Sequence, residues 1–117
     1  MTLGIGINCV SGQVVDAAIK VHTILGPGLL ESAYEACLVH ELQRRGLRVQ
    51  SQVATPVFYE GVRVDVAYRI DLVVEDAVIV ELKAIAKLAP IHEAQILSQL
   101  KLSNYRLGLL INFHECT

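Results

Sequence analysis

The chain has 117 residues, a hydrophobic fraction of 53% and a formal net charge of −2. This length suits one domain with its own core, and the apolar content excludes disorder as the main state. The slight acidity argues against broad electrostatic attachment to DNA or RNA, but it does not exclude a nuclease, because bound metal ions change the local charge. The longest apolar run is too short to span a bilayer, so we expect a cytoplasmic protein that makes no membrane contact.

The cysteines are widely spaced and odd in number, at Cys9, Cys37 and Cys116. They form no Cys-X-X-Cys pair and no ladder with histidine, so they indicate neither a zinc site nor a disulfide framework. Cys37 lies on an apolar helical stripe, where we expect it to fill core space.

Residues 1–11 are small and mixed in character, and we expect a loose lead-in before a single domain that spans residues 12–117. The first predicted helix covers residues 13–25 and has an apolar stripe at helical spacing. The stripe comprises Val15, Ala18, Ile19, His22 and Leu25. His22 is either a hydrogen-bonded core histidine or a polar group that points into an active cleft.

The break at residues 26–28, Gly-Pro-Gly, precedes a second predicted helix over residues 29–45, which ends at Gly46. The side chains expected on its apolar side are Leu30, Ala33, Tyr34, Cys37, Leu38 and Leu42. Glu31 lies in the first turn, where a carboxylate stabilises the helix by itself. It also borders the buried face, so it could instead aim at acidic side chains of the sheet.

Strand patterns follow the second helix. Residues 47–54 predict a strand with Leu47, Val49 and Val53 on one face, and residues 57–66 predict a hairpin or bent edge strand around a Glu-Gly turn. Residues 68–74 and 78–83 then form two apolar runs around a short polar break, which is typical of a second hairpin. Both faces of these two runs are apolar, so we expect other elements to cover both.

The register of the second hairpin depends on its turn. If residues 75–77 form a three-residue turn, Val74 pairs with Val78, and Asp71 then lies opposite Glu81. Directly opposed residues have Cβ atoms about 4.5–5.5 Å apart. A two-residue turn would instead put the two acids on opposite faces of the sheet.

Two opposed acids on an apolar face need compensation, because burial of like charges is costly. A divalent cation of the Mg²⁺ type would supply that compensation through oxygen ligands. Lys83 is two residues after Glu81 and therefore shares its face. The other interpretation of Glu81 and Lys83 is a partly exposed ion pair.

The last predicted elements are a helix over residues 91–103 and a strand over residues 106–113. The buried stripe of the helix is expected to comprise Ile91, Ala94, Leu97 and Leu100. His92, Gln95 and Gln99 share a neighbouring face, either as a solvated surface or as groups that bind a phosphate or a metal-bound water. The strand is almost uninterruptedly apolar, which favours an internal position reached by a right-handed parallel crossover.

The order of elements, with Asp71 followed by Glu81-Leu82-Lys83, resembles the PD-(D/E)XK nuclease superfamily. The closer likeness is to its small GxxExxY family, whose motif stands here as Gly28-Leu-Leu-Glu31-Ser-Ala-Tyr34. The segments Val80-Glu81-Leu82-Lys83 and His92-Glu93-Ala94-Gln95 also look like that family. The likeness runs over residues 14–113.

The resemblance implies an α/β fold of the restriction-endonuclease type, with a mixed sheet flanked by helices. It also implies phosphodiester hydrolysis that depends on Mg²⁺ or Mn²⁺. Asp71, Glu81 and the backbone carbonyl of Leu82 would ligate the metal, and Glu31 would be a further ligand or a water-mediated contact. Lys83 would position the attacking water and stabilise developing charge on the phosphate.

The likeness to exonuclease-type members is partial. Gln95 resembles a glutamine that those members carry on the helix after the Glu-X-Lys strand, but the tyrosine that often follows four residues later is Gln99 here. We expect His22, Tyr34 and Gln99 to line the cleft around the catalytic groups. The usual Pro-Asp pair is relaxed to Ile70-Asp71, which keeps the ligand.

The leading hypothesis is therefore a metal-dependent nuclease that acts on nucleic acid, with DNA as the favoured substrate. The alternative is a catalytically idle module of the same fold that serves in binding or assembly. Because the basic residues are scattered and a duplex-reading protein normally has a positive footprint, we expect a homo-oligomer or a partner protein.

Overall fold

The structure of the protein, a computed structural model, describes residues 7–65 and 68–114. Its helices and strands, in chain order, are α1 Ile7–Leu25, α2 Glu31–Arg44, β1 Val49–Ala54, β2 Val57–Tyr59, β3 Val62–Val64, β4 Arg69–Val74, β5 Val78–Lys83, α3 Pro90–Leu102 and β6 Leu107–Asn112. Within the described ranges, every helix is too short or too polar to cross a membrane.

The central sheet is mixed, with the strand order β1-β4-β5-β6. Strand β4 runs antiparallel to both β1 and β5, whereas β5 and β6 are parallel and α3 connects them. Strands β2 and β3 form a separate two-stranded hairpin, which is the first of the two predicted alternatives. The architecture confirms the expected α/β fold, with helices on both sides of a mixed sheet.

Both faces of the sheet are covered, as predicted. The larger core lies between the sheet and helices α1 and α2, and its fully buried members include Val14, Tyr34, Leu38, Leu42, Leu72, Val80 and Leu82. The smaller core lies on the α3 side and comprises Ile70, Val73, Ile79 and Ile96. The α3 side also contains the buried polar residues Glu81 and Gln99.

Strand β6 is the last strand of its sheet rather than an internal one, so that prediction is wrong. Its side chains are half-buried throughout. The apolar run arises because both faces of this edge strand contact a core: Leu109 and Ile111 pack against the larger one, and Leu110 packs against the smaller one.

Helix α1 begins at Ile7, so the last five residues of the predicted lead-in are helical, and residues 1–6 lie outside the described ranges. The inward side chains are Val10, Val14, Ala17, Ala18 and Val21. The predicted stripe was therefore wrong for Val15 and Ile19, which are 42% and 60% exposed. The helix has apolar residues on two adjoining sides: one side packs on the sheet, and the side with Val15 and Ile19 is exposed.

Helices α2 and α3 also differ in phase from the prediction. On α2 the buried positions include Tyr34, Leu38 and Leu42, whereas Leu30 and the predicted core residue Cys37 are exposed. On α3 the buried residues are Ile96 and Gln99, whereas the predicted Ile91, Ala94 and Leu97 are exposed.

The packing of α3 follows from Gly108 in the middle of β6. A Cβ atom at this position would lie 2.8 Å from Cγ1 of Ile96, which is closer than real Cβ contacts allow. The absence of a side chain therefore lets Ile96 settle directly on the sheet, and this contact sets the helix phase.

Strand β1 changes face part-way along its length. Leu47 and Val49 pack with the larger core, whereas Val53 packs with the smaller one. Between them, Gln52 has a φ of +53°. The prediction that these three apolar residues share one face is therefore wrong, because the backbone turns at Gln52.

Candidate functional site

The β4–β5 hairpin has the predicted three-residue turn. Val74 pairs with Val78, and the antiparallel ladder continues to Leu72 opposite Val80. The ladder stops there, one position before Asp71 would meet Glu81. The structure therefore confirms the predicted register. The backbone pairing between β4 and β5 ends just before Asp71 and Glu81, and we call this the opened end of the hairpin.

At the opening, side chains replace the missing backbone partners. The Asp71 N–H donates to Oε1 of Glu81 at 3.2 Å, and the Leu82 N–H donates to Oδ2 of Asp71 at 2.8 Å. This reciprocal pair brings the two carboxylates together between β4 and β5. The predicted convergence of Asp71 and Glu81 is thus present in the structure.

Glu81 is only 8% exposed. The pKa of its carboxyl is raised from the ordinary 4.5 to about 7, mainly by burial and next by the negative charge of Asp71. The Gln99 amide opposes both effects because it favours the ionised form. The site therefore holds one acid in an environment that disfavours its charge, which is common at functional sites.

Glu31 reaches the same region from the start of α2. Burial raises the pKa of Glu31, the positive charge of Lys83 lowers it, and the charge of Asp71 raises it. Glu31 is therefore near enough to Lys83 and Asp71 for their charges to act on it, and its role as a metal ligand or contact stays a prediction. The N–H of Phe113, directly after β6, donates to the Lys83 carbonyl at 2.7 Å and ties the end of β5 to the end of β6.

Glu35 and Gln52 also belong to this acidic region, and the sequence analysis missed both. The Gln52 amide donates to Glu35 Oε1 at 2.8 Å and to Asp71 Oδ1 at 3.4 Å. Burial raises the pKa of Glu35, the Gln52 hydrogen bond lowers it, and Asp71 and Glu31 raise it. The signal for Glu35 was its spacing of four residues from Glu31, which puts both on one face of α2.

On the α3 side, Gln99 rather than Gln95 is the buried glutamine beside Glu81. Gln99 is 4% exposed, and its Oε1 atom has no hydrogen-bond partner among the described residues. The Gln95 side chain is exposed, and its backbone carbonyl accepts the Tyr68 hydroxyl at 3.3 Å. Burial, and then the charge of Glu81, raise the pKa of Tyr68. The catalytic role predicted for Gln95 stays a prediction.

His22 and Tyr34 lie together in an aromatic cluster with Phe113. The rings of Tyr34 and Phe113 stack at 4.6 Å, and His22 stands edge-on to both. The Tyr34 hydroxyl donates to the Gly26 carbonyl at 2.6 Å and accepts the Leu29 N–H at 3.2 Å. These contacts fix the loop that leads into α2 and thus the position of Glu31, while a role in the cleft stays a prediction.

The family model of the PD-(D/E)XK nuclease superfamily matches residues 8–117, nearly the whole chain. The chain belongs to the PD-(D/E)XK nuclease superfamily. No curated protein and no solved structure matches it.

PD-(D/E)XK nucleases generally use divalent metal ions. In residues 7–65 and 68–114, no three His, Cys, Asp or Glu side chains are grouped closely enough to hold one. Mg²⁺ usually takes only one or two carboxylates and completes its shell with water and substrate phosphates. The paired oxygens of Asp71 and Glu81 therefore fit a cation of this type, and they do not form an all-protein cage.

Proposed function

We propose that this chain is a Mg²⁺-dependent nuclease of the GxxExxY family that hydrolyses phosphodiester bonds in nucleic acid, with DNA as the favoured substrate. The observation that carries the proposal is the pairing of Asp71 and Glu81 at the opened ladder. Lys83 follows on the same strand. The raised pKa of Glu81 supports a cation as the missing partner of the pair.

Asp71, Glu81 and the carbonyl oxygen of Leu82 would hold Mg²⁺ or Mn²⁺, and Glu31 would contact it directly or through water. When bound, the ion supplies positive charge to the phosphate and lowers the pKa of a nearby water. The Lys83 ammonium then orients that water and stabilises the charge that develops on the phosphate.

The glutamines of α3 would act from the other side of the opening. Gln99, buried beside Glu81, favours the ionised form of that acid and therefore supports cation binding. Gln95 is exposed and is available for contact with the substrate.

The proposal is tested with Asp71→Asn and its matched control Asp76→Asn, which removes an exposed acid at the turn of the same hairpin. We expect Mg²⁺ or Mn²⁺ to raise the melting temperature of the wild type and of Asp76→Asn, but not that of Asp71→Asn. Cleavage assays on single-stranded, duplex and structured DNA and RNA should show activity for the wild type and for Asp76→Asn, but not for Asp71→Asn. A wild type that neither cleaves nor responds to either ion at millimolar concentration would refute the proposal.

The second candidate function is a catalytically idle module that acts in binding or assembly. It is favoured by the exposed side chains of the β2–β3 hairpin, where Phe58, Tyr59 and Val62 are each about 60% exposed. We propose that the chain works in the cytoplasm as a homo-oligomer or with a partner protein that helps it hold nucleic acid. Light scattering that shows a strict monomer able to cleave unaided would exclude this part of the proposal.

A further inference from the structure

Gln52 is the one non-glycine residue with a positive φ inside a strand of the described ranges. Its φ is +53°, whereas the other such residues, Glu60, Glu75 and Asp76, lie in hairpin turns. A left-handed backbone is unfavourable for a residue with a Cβ atom, and it persists only where surrounding contacts enforce it. Distortions of this kind within strands often re-aim a side chain beside an active site.

The distortion leaves Gln52 and Asp71 unpaired through their backbones. Ser51 pairs with Leu72 and Val53 pairs with Ile70, but the ladder skips the position between them. Asp71 is therefore free of ladder pairing with both neighbouring strands, because its pairing with β5 also stops at Leu72. This double opening makes the Asp71 carboxylate accessible from β1 and from α2.

The Gln52 amide occupies the opening on the β1 side. Its Nε2 atom is 2.8 Å from Oε1 of Glu35 and 3.4 Å from Oδ1 of Asp71, so one NH₂ group joins two carboxylates. The other Asp71 oxygen accepts the Leu82 N–H. Both oxygens of Asp71 are therefore oriented by a donor, one from each neighbouring strand.

We propose that Gln52 is a positioning residue for the candidate cation site: its strained backbone aims an amide that orients Asp71 and holds Glu35 beside it. This inference rests on the proposed function, because the position of Asp71 matters only if it binds a cation. The strain is then the consequence of placing an amide donor between two acids. Neighbours that orient metal ligands typically change metal affinity or activity by about 10–100-fold when they are removed.

The test compares Gln52→Gly with Glu60→Gly. Both remove a side chain from a residue with positive φ, where glycine is unstrained, but Glu60 lies at an exposed turn away from the acids. We expect both variants to melt within a few degrees of the wild type without divalent cations. The Mg²⁺ concentration for half of the cation-induced rise in melting temperature, and that for half-maximal cleavage, should each rise about 10–100-fold in Gln52→Gly and stay unchanged in Glu60→Gly. The rate of Gln52→Gly should recover partly at saturating Mg²⁺.

Gln52→Asn carries the test if the glycine variant fails to fold. Asparagine tolerates the left-handed backbone and keeps the amide, but it is one methylene shorter and cannot span both acids. We expect it to need more Mg²⁺ than the wild type. If Mg²⁺ raises the melting temperature of the wild type and Gln52→Gly or Gln52→Asn needs no more Mg²⁺ for the same rise, this inference falls, whereas cleavage by the wild type still supports the proposed function. A wild type without cleavage or cation response overturns both.

Discussion

The two ends of the β4–β5 hairpin carry acids whose pKa values shift in opposite directions. At the turn, the Arg48 N–H donates to Glu75 Oε2 at 2.7 Å, and this hydrogen bond lowers the pKa of Glu75. At the opened end, burial raises the pKa of Glu81 to about 7. The same pair of strands therefore stabilises one carboxylate in its charged form and destabilises the other.

The difference follows from the hydrogen bonds available at each end. At the turn end, backbone groups have backbone partners: the Glu75 N–H donates back to the Arg48 carbonyl, and the Ala77 carbonyl accepts the Arg106 N–H. At the opened end, the acids of the strands substitute for backbone partners, and the Gln99 Oε1 atom has no hydrogen-bond partner in the part of the chain that the structure describes. An acid whose charged form is disfavoured is common at functional sites, and a bound cation would favour that charged form.

The largest expected effect is on catalysis at the opened end. Lys83→Ala should lower the cleavage rate at saturating Mg²⁺ by about 10²–10³-fold, because the proposed mechanism assigns Lys83 to the stabilisation of developing charge. Initial rates on a defined oligonucleotide measure this effect. The cation-induced rise in melting temperature should remain, because Lys83 does not ligate the ion.

Lys87→Ala is the matched control for Lys83→Ala. It removes the same side chain from an exposed position four residues later, beyond the strand. We expect its rate to equal that of the wild type. Equal rates for both lysine variants would show that the amine at the opened end does not take part in the reaction.

The hairpin and its acids were predictable from the sequence because their geometry is local. A three-residue turn fixes the pairing of Val74 with Val78, and a strand period of two then places Asp71, Glu81 and Lys83. The order of the elements and the parallel crossover were also predictable, since each depends on apolar runs and breakers. The fold class followed from that order.

The helix phases and the β1 side of the site could not be predicted in the same way. Helix α3 carries apolar residues on more than one side, and the contact of Ile96 with Gly108 of the following strand favours one of them as the buried side. Nothing in the alternation of β1 indicates a left-handed Gln52, which is held by contacts to residues 17 and 19 positions away. Such choices are made by tertiary packing rather than by local pattern.

A smaller effect should appear in the pH dependence of stability. The folded-state pKa of Glu81 is raised from 4.5 to about 7, so its favourable contribution is complete below pH 4.5 and is lost as the pH rises through 7. Each pKa unit corresponds to about 1.4 kcal/mol, and because water reaches part of the site we expect about 1–2 kcal/mol in total.

Glu81→Gln should remove this pH dependence. In buffer without divalent cations, the variant should be more stable than the wild type at pH 8 and similar to it at pH 5, as measured by urea unfolding. It should also lose the response to Mg²⁺. A wild type that becomes more stable as the pH rises from 5 to 8, with Glu81→Gln following the same curve, would contradict the assignment of Glu81 as the destabilised acid.

The smallest expected effect concerns Glu75 at the turn, whose pH dependence has the opposite sign to that of Glu81. Because the pKa of Glu75 is lowered from 4.5, its contribution is present above pH 4.5 and is lost as the pH falls below that value. Glu75→Gln keeps an oxygen for the Arg48 N–H but removes the charge that strengthens the bond. Since the Arg48 side chain is 72% exposed, we expect a loss of about 1 kcal/mol at pH 7.

The urea unfolding curves of the two glutamine variants should therefore diverge at neutral pH, with Glu75→Gln below the wild type and Glu81→Gln above it. The deficit of Glu75→Gln should shrink below pH 4.5, where the wild-type carboxyl is also neutral, whereas its response to Mg²⁺ should be intact. If Glu75→Gln stabilises the protein at pH 7 as Glu81→Gln does, both acids are simply unfavourable charges on one hairpin. The electrostatics of Glu81 would then not distinguish the opened end from the turn, and they would no longer support a cation site there.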